Sequence, residues 1–194
     1  MILKNAKFYE DLTACFGDLS QFEGKIRELA QVARIDLSQF EIDHLAVRMN
    51  DEQTAQAWQS LLLQGASLLK ESQVNGRPIG LFSLHQPLVF LGQEVSIIEL
   101  PFPKGKIYNE QGWEHIEIVF PMLDQESIEQ WTARTLAHFN LQAKPLKIKV
   151  SQVKVEGERL PNPSIAISLG TNLNSVCLKL HPYPIQTIIR SEMV

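Results

Sequence analysis

Two stretches of this chain, "DHLAVRMND" from residue 43 and "EHIEIVFPM" from residue 114, open the same series of elements twice. Each reads as a buried strand with a histidine second and apolar residues around it. Each is followed by a helix-like run with a tryptophan in a similar place, Trp58 in "DEQTAQAWQSLLLQGASLLKE" and Trp131 in "DQESIEQWTARTLAHFNL". Strand-like pairs come next, around "NG" at Asn75 and around "EGER" at residues 156 to 159, and Asn-Gly is a strong hairpin signal. Each half then closes on a further strand, "EVSIIELPFP" and "NSVCLKLHPYP". The order is β-α-β-β-β in both halves. A period near seventy residues implies two fused modules rather than a solenoid. The expected architecture is α+β: paired β-α-β-β-β modules, residues 39–110 and 111–194, in one integrated domain with a curved, half-open barrel-like sheet.

Residues 1–38 read as a helical extension. Phe8, Leu12, Phe16, Leu19, Phe22, Ile26, Leu29 and Val32 recur at spacings of three and four. Gly17 and "DLSQFEGK" divide the stretch into two helices, the second with Ser20 as expected N-cap and Glu23 completing a capping box. The apolar stripe is expected to pack on the sheet; a docking surface is the other reading. The 194 residues carry a formal net charge of −4 and 44% hydrophobic residues, so no basic footprint for nucleic acid is expected. No apolar run is long enough for a membrane span. Cys15 and Cys177 form no C-x-x-C pair, and a cytoplasmic location with reduced thiols is expected.

Alternation sets the candidate chemistry. His44 shares a strand face with Ile42, Ala46 and Arg48; His115 shares one with Trp113, Glu117 and Val119; Glu99 lies with Ile97 and Val95. If the first strands of the halves meet, His44 and His115 converge, and sheet pairing brings Glu99 beside His44. Two imidazoles and a carboxylate suit Fe(II), Mn, Co, Ni or Zn. Each residue also has a structural reading: hydrogen-bonded core histidines, and Glu99 or a strand-end partner paired with Arg48. His85 and His138 read as surface or packing residues, and His181 as a rim residue.

Paired modules with "DH" in the first strand and "IE" in the fourth resemble the vicinal oxygen chelate superfamily, which includes glyoxalase I, methylmalonyl-CoA epimerase, extradiol dioxygenases and bleomycin-resistance proteins. The whole chain, with its N-terminal helices, is similar to the bacterial YecM family. The resemblance implies metal ligands on the first and last strands of each module, which places them at His44, Glu99, His115 and residue 179. The superfamily usually has Glu or Gln at that fourth place; this chain has Lys179 in "CLKLHP". A protonated amine cannot ligate a cation. Lys179 either anchors an anionic substrate beside a three-ligand metal or pairs with Glu99 in a metal-free cavity. Glu117 and Lys179 are the candidate catalytic pair, with Glu117 as base or as counter-charge to Lys179. Arg48 and Lys179 are the candidate substrate-binding cations, Arg48 as a carboxylate clamp. The implied function is a divalent-metal protein acting on a small, oxygen-rich, anionic molecule by isomerase, lyase or oxygenase-like chemistry. The alternative is a non-catalytic module that binds an anionic ligand without metal.

Overall fold

The structure is a computed structural model that describes residues 2–152 and 159–192, with backbone alone for residues 2–5. Two N-terminal helices, α1 (Ile2–Phe16) and α2 (Leu19–Ala33), precede β1 (Ile42–Arg48), α3 (Glu52–Gly65), β2 (Ala66–Val74), β3 (Arg77–Phe90) and β4 (Gln93–Pro101). The series repeats as β5 (Gly112–Val119), α4 (Ile128–His138), β6 (Lys147–Gln152), β7 (Pro163–Ser168) and β8 (Cys177–His181), and ends in α5 (Ile185–Glu192). The eight strands form one mixed open sheet in the order β2-β3-β4-β1-β5-β8-β7-β6. The fold is α+β, with the β-α-β-β-β order in each half. The turn expected at "EGER" falls largely on residues 153–158, outside the described residues.

The chain divides into two compact units, 1–23 with 44–114 and 24–43 with 115–194. The helical extension is therefore shared out, α1 with the first unit and most of α2 with the second.

In the first unit, Phe8, Leu12 and Phe16 of α1 join Trp58, Leu61 and Leu62 of α3, Phe82 of β3, and Ile98 and Leu100 of β4 in one core. Burying each such side chain is worth roughly 1.5–3 kcal/mol. Phe16 meets Trp58 and Trp113 edge-on at 4.9 and 5.1 Å, a favoured aromatic geometry. The α1 stripe is thus spent on this core. Phe8 lies over Gly65 at the end of α3: an added Cβ would come within 2.5 Å of that ring. The Asn75–Gly76 hairpin forms as expected, with φ of 52° and 80°, the left-handed pair that suits strand twist. β1 runs parallel to β4, with Leu45 opposite Ile98 and Ala46 opposite Glu99.

In the second unit, β5 runs parallel to β8, with His115 opposite Cys177, Glu117 opposite Lys179 and Val119 opposite His181. Trp131 of α4 is fully buried, and its indole N–H donates to the Phe120 carbonyl at 2.8 Å. Asn174 ties α2 to this unit by donating to the Lys25 carbonyl at 2.9 Å and to Glu28 at 2.7 Å.

The start of α2 differs from expectation. Asp18, not Ser20, caps it: the Asp18 carboxylate accepts the N–H of Ser20 at 2.7 Å and of Gln21 at 3.1 Å. Glu23 makes no capping box there and accepts the Leu91 N–H at 2.7 Å. An ionised carboxylate at a helix start is favoured over a hydroxyl by the helix dipole. A capping box does form at α4, between Ser127 and Gln130, so that helix begins later than its sequence pattern suggests. The final helix α5 was not anticipated.

Candidate functional site

The parallel pairing of β1 with β4 decides what His44 meets. Ala46 stands opposite Glu99, so Glu99 lies one step along the same face from His44. His44 Nε2 is 3.6 Å from Glu99 Oε2, with the imidazole only 1% exposed. Beyond them, the end of β1 is stitched to the segment after β4. Arg48 Nε donates to the Glu110 carbonyl at 2.9 Å, and its guanidinium carbon lies 4.9 Å from the Tyr108 ring centre. Asn50 holds Tyr108 at both backbone groups, at 2.9 and 2.8 Å. These contacts fix the orientation of Arg48.

The second unit has the same strand pairing with different residues. Glu117 stands opposite Lys179, and Lys179 Nζ donates to Glu117 Oε1 at 3.1 Å. The same oxygen is 3.5 Å from His115 Nε2. The other oxygen, Oε2, is 3.4 Å from Nδ1 of His181. His181 Nε2 is in turn 3.5 Å from Oδ2 of Asp43. His115, Glu117, His181 and Asp43 are all buried.

At one level the first unit pairs Ala46 with Glu99, and the second pairs Glu117 with Lys179. The first unit's carboxylate stands on its last strand, at Glu99; the second unit's stands on its first strand, at Glu117, opposite a lysine.

His44 with Glu99 in the first unit, and His115 with Glu117 in the second, offer donor atoms that could hold a metal ion. His44, Glu99 and His115 are the ligands that the sequence resemblance implies; Glu117 is expected as a base or as the counter-charge to Lys179, and it is paired with Lys179. Imidazole nitrogen and carboxylate oxygen are a donor set that suits first-row divalent ions.

Two buried residues escaped the sequence reading. His181 was expected at a rim, yet it closes β8 and is 1% exposed. Asp43, the acid of "DH", was given no role. Both oxygens of Asp43 receive the N–H of Ile185 at the start of α5, at 3.2 and 3.1 Å. With α5 unforeseen, nothing in the sequence linked Asp43 to the segment after His181. His85 and His138 are exposed; His85 touches Ser67, and His138 packs on Phe120 and Phe139.

Fold and site together define an α+β protein of paired β-α-β-β-β modules carrying a buried imidazole–carboxylate group. The chain belongs to the YecM family, whose profile, described as YecM protein, matches residues 11–192. An uncharacterised protein of Haemophilus influenzae is 52% identical over 182 residues, 93% of this chain and 95% of that one. Protein YecM of Escherichia coli is 35% identical over 190 residues, 98% of each. A solved structure described as a structural-genomics protein, EC4020, superposes with TM-score 0.78 at 34% identity, covering 95% of this chain and 93% of its own.

Proposed function

We propose that the chain is a divalent-metal-binding protein of the vicinal oxygen chelate type that acts on a small, oxygen-rich, anionic substrate by isomerase, lyase or oxygenase-like chemistry. One observation carries this reading: each unit sets a buried histidine beside a carboxylate, His44 with Glu99 at 3.6 Å and His115 with Glu117 at 3.5 Å. Zn, Ni, Mn, Co and Fe(II) all accept such donors. His44, Glu99 and His115 are the ligands in this reading, and Glu117 is a fourth donor that can also take a substrate proton. A bound ion would supply Lewis acidity, polarising a carbonyl or stabilising an oxyanion. Lys179, paired with Glu117, supplies positive charge for an anionic group. Arg48, fixed by Glu110 and Tyr108, supplies a second charge.

The test is a cobalt(II) titration of tag-free protein, followed by its visible absorption bands. One equivalent should bind to the wild type, and His115→Ala should abolish the spectrum. Identical titrations of the two proteins would remove the basis of the reading.

The Lys179–Glu117 ion pair favours a second reading, a non-catalytic module that holds an anionic ligand without metal. Thermal stabilisation by malonate that survives chelator treatment is the result that would favour it.

A further inference from the structure

His181 is the most enclosed titratable group of the second unit outside the donor set, at 1% exposure. Its ring lies between two carboxylates. Nδ1 is 3.4 Å from Glu117 Oε2, and Nε2 is 3.5 Å from Asp43 Oδ2. Asp43 is anchored by the Ile185 N–H at the start of α5, where helical N–H groups lack partners inside the helix. A helix start also favours a negative charge. The chain of contacts therefore runs from the start of α5 through Asp43 and His181 to one oxygen of Glu117. The other oxygen is held by Lys179.

Aligned on "IIELPFP" and "CLKLHPY", His181 corresponds to Pro101, which has no side-chain donor. The second half, whose carboxylate stands on its first strand, places an imidazole beside that carboxylate.

We propose that His181, held by Asp43, is a positioning residue that sets the orientation of the Glu117 carboxylate as a metal donor. The proposal rests on the metal-binding reading above. An ionised carboxylate only accepts hydrogen bonds, so a ring N–H is what Glu117 can use. A partner behind a metal ligand fixes its direction, and loss of such a partner typically costs roughly 10- to 100-fold in metal affinity.

The experiment measures nickel(II) affinity by calorimetry on tag-free, full-length protein, with the melting temperature of each metal-free variant alongside. His181→Ala should weaken binding by roughly 10- to 100-fold. His181→Asn, which restores an N–H near the place of Nδ1, should recover affinity to within a few-fold of wild type. Equal weakening in both variants would show that ring volume matters and not the N–H, and would overturn the proposal. So would unchanged affinity in His181→Ala. Should that variant fold poorly, Asp43→Asn carries the test, with weakened nickel binding expected and unchanged binding overturning the proposal. A wild type that binds no nickel sinks the metal reading itself and this inference with it, a result distinct from wild-type binding that the variants share.

Discussion

Glu117 and Lys179 face each other in register on neighbouring parallel strands, with Nζ 3.1 Å from Oε1. The ammonium competes with any cation for that oxygen. Lys179→Met should therefore tighten divalent-metal binding by at least roughly tenfold; the repulsion of two unit charges about 4 Å apart is about 4 kcal/mol at an effective dielectric of about 20, and solvent at the part-exposed ammonium reduces it. Calorimetry with zinc reads this directly. Weaker zinc binding in the variant would mean that Lys179 organises the site rather than opposing the ion.

Gly65 and Phe8 are in contact because glycine leaves room for the ring. Phe8 is buried in the first unit's core and has little space to retreat. Gly65→Ala should destabilise the protein by roughly 1–3 kcal/mol, the usual cost of overpacking. Adding Phe8→Leu should return part of that loss. Chemical denaturation of the two single variants and the double variant measures the coupling; strict additivity would contradict the packing account.

The cap of α2 gives a test with two arms. Asp18→Ala should cost about 1 kcal/mol, the typical cost of removing a helix N-cap. Ser20→Ala should stay within about 0.5 kcal/mol, as surface substitutions away from a cap usually do. The reverse order in denaturant melts would restore Ser20 as the cap.

Acid should release one ion pair in a defined direction. Arg134 grips Glu126 with Nε at 2.7 Å and Nη2 at 2.8 Å and, with the Leu123 N–H, lowers its carboxyl to about 2. A carboxyl lowered in the folded state contributes stability that is present above its unfolded pKa, about 4.3. That contribution is lost as pH falls from there through about 2. The melting-temperature gap between wild type and Glu126→Gln should be flat above about pH 5 and narrow on acidification. A gap that widens in acid would contradict the assignment.

The duplicated order was legible because apolar periodicity and turn chemistry recur in both halves, down to Trp58 and Trp131. Strand alternation was enough to put His44 and Glu99 on one face, and parallel pairing of β1 with β4 brings them within 3.6 Å. Local rivals were harder. Asp18 and Ser20 are both good caps two residues apart, and the backbone chose the charged one. The eight residues of α5 are too few for a clear helical period. Asp43 and His181 depend on that helix and on partners far away in sequence, so their contact left no local signature.

A metal ion held by His44, Glu99, His115 and Glu117 is the proposed centre of this chain. Metal content by mass spectrometry, on tag-free protein and on His115→Ala of matched fold by circular dichroism, tests it most directly. Near one equivalent of a first-row divalent metal in the wild type, lost in the variant, is the expected result. Equal and substoichiometric metal in both proteins would contradict the account.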